Sequence, residues 1–191
     1  IEIKATRAKL ARSTNRMNLF SQIPNWSESR LKSGKEILDE FGYIRDGRLQ
    51  LYCTVCNQPN SQGLFFAVDD TKDVLMNKGQ KQDCVVDVTC WNMETLRIRL
   101  KEKHAETFWV KAVSRTDSYG LEQFRYDEVI HTKSPNLTVM GQLLDLGIIT
   151  MDYTLSQKGN GTRDHGYLFK IRPENLELLF PPSQQHCLST A

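Results

Sequence analysis

The sequence predicts an α/β fold: a mixed β-sheet flanked by helices, with a β-hairpin region near the C-terminus. Three observations predict it. Stretches of alternating apolar and polar side chains outnumber helical ones, two segments carry helix start and stop signals, and a turn with two glycines at 158–165 separates two apolar strands. The 191 residues are 39% hydrophobic and 25% charged, an ordinary water-facing composition. No apolar run approaches the ~18 residues of a membrane span. No secretory signal pattern opens the chain. Ile1 already reads as the middle of a strand, so the natural N-terminal part is expected to be missing.

Taken in order, Ile1-Glu2-Ile3-Lys4-Ala5-Thr6 alternates with the period of a strand. A basic segment runs to Arg16, followed by Leu19-Phe20 and a Pro24-Asn25-Trp26 loop. Ser33-Gly34-Lys35-Glu36 has capping-box spacing, and Ile37, Leu38 and Phe41 form a helical face that Gly42 ends. Residues 48–56 and 63–68 read as strands joined by a hairpin-type connection at 57–63, and 84–89 is another strand. A helix over 93–103 carries Leu96 and Leu100 on one side. Residues 107–115 alternate again, and 121–131 continue the sheet. Pro135 starts a short helix with Leu137, Met140, Leu143 and Leu144 inside and Gly147 after it. The last unit is a hairpin of 148–156 and 166–171. Residues 173–180 close it as a helical turn, and 181–191 read as a loose, uncharged tail.

The net charge of +2 hides an asymmetry. Residues 1–35 hold eight basic side chains against two acids, and the rest of the chain is net acidic. A basic end on a near-neutral body points to a polyanion, with nucleic acid the first partner class. Lys9, Arg12 and Arg16 are the candidates for a phosphate-backbone track. The alternative is a solvated face with no partner. Five cysteines, an odd number, fit a reduced cytoplasmic setting better than a disulfide framework. Cys53 and Cys56 have zinc-like spacing. They sit in a strand-like run, however, which sends the two thiols to opposite faces, so buried reduced thiols are expected.

Two constellations carry chemistry. Glu2 and Lys4, two apart on a strand, share a face. A carboxylate there can ligate Mg²⁺, and the lysine can orient or deprotonate a water and offset phosphoryl charge. The bland alternative is a surface ion pair. In the terminal hairpin, Gly159 and Gly161 allow a tight bend ahead of Arg163, Asp164 and His165. Arginine can fork onto guanine O6 and N7, aspartate can accept from cytosine N4, and a hairpin fits the major groove. The alternative is a turn in which Asp164 salt-bridges Arg163. His104 is expected to favour a helix dipole, His131 to be structural, Trp26 and Trp109 to pack, and Lys111 and Arg115 to be solvated or to touch phosphates.

Glu2-Ile3-Lys4 on an early strand, followed by a basic segment and a helix, resembles the PD-(D/E)xK nuclease fold. Asp152-Tyr153-Thr154-Leu155, Gly159-Asn160-Gly161-Thr162-Arg163-Asp164-His165-Gly166-Tyr167-Leu168-Phe169-Lys170-Ile171 and Asn175-Leu176-Glu177-Leu178-Leu179-Phe180 resemble the closing region of the MvaI/BcnI-type restriction endonuclease family. Phe41-Gly42-Tyr43, Leu51-Tyr52 and Trp109-Val110-Lys111-Ala112 fall in the matching order.

The resemblance implies a Mg²⁺-dependent, sequence-specific endonuclease on double-stranded DNA, acting as a monomer that cuts one strand per visit. It implies a core over 1–135, a recognition hairpin region over 136–180 and a tail over 181–191. It makes Glu2 a metal ligand and Lys4 the catalytic lysine. It places base reading at Arg163 and His165, with Asp152 on the partner strand and Lys170 beyond. The family's motif also has an aspartate shortly before the glutamate, and this chain begins one residue before Glu2. The competing expectations are a DNA-binding module of the same fold without catalysis and a repair-type nickase.

Overall fold

Alternation, caps and turns translate into twelve strands and four α-helices among the described residues of the computed structural model, which are 1–7, 16–82, 84–159, 161–181 and 184–188. The first part runs β1 (Glu2–Arg7), β2 (Met17–Ser21), α1 (Gly34–Phe41), β3 (Tyr43–Arg45) and β4 (Arg48–Val55). Then come β5 (Leu64–Asp69), β6 (Val74–Lys81), β7 (Cys84–Asn92), α2 (Met93–Lys103), β8 (Thr107–Thr116) and β9 (Glu122–Thr132). The chain closes with α3 (Met140–Asp145), β10 (Ile149–Lys158), β11 (Gly161–Ile171), α4 (Leu176–Leu179) and β12 (Gln184–Cys187).

The strands form three sheets, ordered β1-β8-β9-β12, β2-β11-β10-β4-β3 and β5-β6-β7. The first is mixed: β1 lies parallel to β8, while β8 and β9 and then β9 and β12 are antiparallel. In the five-stranded sheet the β10–β11 hairpin sits at the centre, with β2 on one side and β4 on the other. One apolar cluster joins the sheets, with Trp91, Trp109, Tyr153, Tyr167, Phe169 and Phe180 fully buried in it. α1 packs Ile37, Leu38 and Phe41 onto the inner face of the five-stranded sheet. Its start is the capping box read from sequence: Ser33 accepts from Glu36 N, and Glu36 Oε2 accepts from Lys32 N.

Three sequence expectations need correction. Residues 57–63 do not turn a hairpin between paired strands, because β4 and β5 belong to different sheets. The Asn60 side chain instead accepts from Gln62 N and Leu64 N and donates to Thr54 O, bending the chain from one sheet to the next. β6 was not anticipated. Its inward positions are Leu75, Asn77 and Gly79, so two of three buried sites carry no apolar signal. Gly79 is required there because a Cβ would stand 2.6 Å from the Phe41 ring. The tail is also not wholly loose: Gln184–Cys187 pairs with β9, and Gln185 donates to Glu128, although all four residues are exposed.

Candidate active site and DNA-reading face

β1 turns Glu2 and Lys4 to one half-buried face and leaves Ile1, Ile3 and Ala5 exposed on the other. Lys4 Nζ donates to Glu2 Oε1 at 2.9 Å. That bond, helped by the Lys4 charge, holds the Glu2 carboxyl below its ordinary value although partial burial opposes it. In the register, Glu2 stands opposite Thr107 and Lys4 opposite the buried Trp109. His104 completes the floor. It is fully buried, its Nδ1 lies 2.9 Å from Thr107 Oγ1 and its Nε2 lies 2.7 Å from Leu19 O. Burial pushes the imidazole below its ordinary value, so it is a neutral hydrogen-bonding bridge rather than the helix-dipole cation expected.

A divalent cation can be tested against these residues. The described residues bring together no group of three or more His, Cys, Asp and Glu side chains. Mg²⁺ does not need such a cage: it takes one or two carboxylates, keeps several waters and shares substrate phosphate oxygens. Glu2, ionised and open to one side, fits as one such ligand. Lys4 beside it adds a cation to the same face.

The second constellation lies on the outer face of the five-stranded sheet. Met151, Tyr153 and Leu155 of β10 are buried inward, so Thr150, Asp152, Thr154 and Ser156 face outward. Asp152 accepts from Arg16 Nη1 at 2.9 Å, from Thr54 Oγ1 at 2.7 Å and from Lys170 Nζ at 2.8 Å. Arg16 also donates to Thr150 and Thr54. Burial raises the Asp152 carboxyl, but Lys170, Thr54 and Arg16 outweigh it and leave the group below the usual carboxylate range. The structure therefore gathers Asp152 and Lys170, expected at the reading head, with Arg16, expected in the backbone track. Thr54 and Thr150 were missed. The signal for Thr150 was available as alternation, Thr150-x-Asp152-x-Thr154, with polar residues on every second position of a strand.

Arg163 and His165 are exposed on β11. Arg163 stands opposite the outward Ser156, whereas Asp164 stands opposite the inward Leu155. Asp164 does not pair with Arg163. Its Oδ1 accepts from Gly166 N at 2.6 Å, and its Oδ2 lies toward Gly34 at the start of α1. The register shifts between Tyr153 and Leu155, and Thr154 Oγ1 donates to Gly166 O across the bulge. Lys9 and Arg12 lie outside the described residues.

The lesser candidates are also placed. His131 stacks on Phe108 at 4.4 Å and reaches Glu106 at 3.0 Å, as a structural residue does. Trp109 donates to Thr132 inside the core. Arg115 donates to Gln123. Burial pushes the Cys53 thiol up to about 12.

The profile of the MvaI/BcnI restriction endonuclease family matches residues 1–180. The chain belongs to that family. This MvaI/BcnI member is thus a DNA-cleaving hydrolase, a sequence-specific DNA endonuclease. Restriction endonucleases of this kind generally use divalent metal ions. Among solved structures, the restriction endonuclease MvaI–cognate DNA substrate complex matches with a TM-score of 0.79 at 19% identity, covering 98% of this chain and 78% of that one. Restriction endonuclease MvaI in the absence of DNA matches with a TM-score of 0.67, also at 19% identity, covering 99% and 78%. Both likenesses establish the restriction-endonuclease fold. No curated protein matches the sequence. Among the described residues no helix is long and apolar enough to cross a membrane.

Proposed function

We propose that the chain is a Mg²⁺-dependent restriction endonuclease that works as a cytoplasmic monomer and cuts one strand of its duplex site per visit. The observation that carries the reading is the Glu2–Lys4 pair, 2.9 Å apart on one half-buried strand face in a chain of restriction-endonuclease family and fold. Glu2 is the residue that would hold the cation. When bound, such a cation would supply Lewis-acid charge at the scissile phosphate for attack by water. Lys4 is the catalytic lysine: its ammonium stands over the phosphate, orients the water and offsets the charge that develops there. Specificity is assigned to Arg163 and His165 on the outer face of β11, and to Lys170 and Asp152 at its floor. Asp164 contributes by shaping the hairpin. Lys9 and Arg12, with Arg16, are assigned to the backbone track.

Supercoiled plasmid incubated with Mg²⁺ tests this. The wild type should give nicked circles first and linear DNA later, and a chelator should stop both. Lys4→Ala should abolish cutting while leaving duplex binding nearly intact, since one phosphate-directed cation is a small share of DNA affinity. A wild type that binds a defined sequence and never cuts would favour the DNA-binding module without catalysis. Methylation-dependent nicking alone would favour the repair-type nickase.

A further inference from the structure

The base-reading assignment stops at the hairpin, but the sheet does not. Ser156 of β10 has two cross-strand partners, Arg163 on β11 and Gln50 on β4. The three residues therefore form one row across three adjacent strands. The next pair along, Leu51 and Leu155, is fully buried, which turns Gln50 and Ser156 to the outer face that carries Asp152 and Lys170. Tyr43 stands opposite Gln50 on the edge strand β3, and its hydroxyl donates to Tyr52 O, closing the row on its outer side.

Gln50 carries the row's one amide, a donor and an acceptor side by side. It is half-buried, and its amide has no hydrogen-bond partner among the described residues. Further along the same face Asp152 is held by Arg16, Thr54 and Lys170, and Thr154 by Gly166 O. Two strand spacings set Gln50 and Arg163 about 10 Å apart, which spans up to three base-pair steps of B-DNA. Between them the short Ser156 side chain leaves room for base edges. A glutamine amide facing a major groove forms a paired donor–acceptor contact with adenine N6 and N7.

We propose that Gln50 is a specificity-determining residue of this endonuclease, reading an A·T pair within three steps of the pair contacted by Arg163. The inference rests on the proposed function, because it takes the outer face of the five-stranded sheet as the surface that meets the major groove.

The test is digestion of a random-sequence duplex pool with Mg²⁺, followed by sequencing of the cut ends for wild type, Gln50→Ala, Gln50→Glu and Arg163→Ala. Gln50→Ala should relax the recognised sequence at one A·T position, lowering discrimination there about tenfold or more, and leave the other positions unchanged. Gln50→Glu should move that position toward C·G, since a carboxylate accepts from cytosine N4 and cannot donate to adenine N7. A recognised sequence identical to wild type in both Gln50 variants overturns the proposal. A uniform drop over all sequences also overturns it, because that is a backbone contact. The companion variant separates the two readings: an unchanged sequence for Arg163→Ala defeats the hairpin assignment alone. A wild type that cuts nothing defeats the nuclease reading and this inference with it. Melting curves matching wild type confirm that each variant is folded.

Discussion

His104 Nε2 donates to the carbonyl of Leu19 at 2.7 Å, since a carbonyl oxygen can only accept. The ring's other nitrogen then accepts from Thr107, the residue opposite Glu2 on β8. Leu19 belongs to the edge strand of the five-stranded sheet and Thr107 to the sheet of the active-site strand. One neutral imidazole, stacked on Trp109 at 5.1 Å, thus couples the proposed reading sheet to the proposed catalytic strand.

Burial lowers the His104 pKa, and this fixes the sign of a pH effect. A group depressed in the folded state contributes stability above its unfolded value, near 6.5, and that contribution is lost as pH falls through the folded value. Thermal unfolding followed downward from pH 7.5 should show this loss in the wild type. His104→Gln, which keeps a donor and an acceptor but does not titrate, should flatten it. His104→Ala should cost about 1–3 kcal/mol at neutral pH by leaving Leu19 O and Thr107 unpaired.

Asp152 gives the complementary acid-side effect. Its carboxyl is depressed against burial by Lys170, Thr54 and Arg16, so its contribution is present above about pH 4 and lost as pH falls through the lower folded value. Asp152→Asn should cost about 2–3 kcal/mol in urea unfolding at pH 7, because hydrogen bonds to a charged group are lost together. It also frees two cations on the outer face. Affinity for random duplex should therefore rise, with a steeper salt dependence. Unchanged salt dependence would show that Arg16 and Lys170 do not face DNA.

The shared face of Glu2 and Lys4 was legible from sequence because two residues at strand spacing lie on one side whatever the rest of the chain does. The capping box of α1 was legible for the same reason: it is local. What escaped was set by tertiary contacts. The row Gln50–Ser156–Arg163 joins positions more than a hundred residues apart, and nothing in the local pattern of β4 announces its partner. β6 hid behind an inward Asn77, which accepts from the buried Tyr153 hydroxyl at 2.8 Å, and an inward Gly79. Arg16 read as a free cation because its partner lies 136 residues away.

Gly166 should tolerate no side chain. Its φ is +103°, a region that L residues rarely adopt, and an added Cβ would come within 2.7 Å of Ser21 Oγ. Gly166→Ala should destabilise the fold by about 1–3 kcal/mol. It should also impair site-specific cutting more than random-duplex binding, because the bulge sets where Arg163 and His165 stand. Equal melting temperatures for variant and wild type would show that the bulge relaxes freely.

Asp164 acts on the same bulge from the other side. Its carboxylate accepts from Gly166 N at 2.6 Å rather than pairing with Arg163, so acceptor capacity matters there and charge does not. Asp164→Asn retains an acceptor oxygen and should keep most of the preference for the recognised site over a scrambled duplex. Asp164→Ala removes it, leaves Gly166 N without that partner and should lose discrimination about tenfold. Affinity for the scrambled duplex should hold in both variants, because it comes from phosphate contacts. Competition binding on the two duplexes at fixed salt measures the ratio. An Asn variant as impaired as the Ala variant would mean that the negative charge itself is used, either against a cytosine amino group or by ordering Arg163 once DNA is bound.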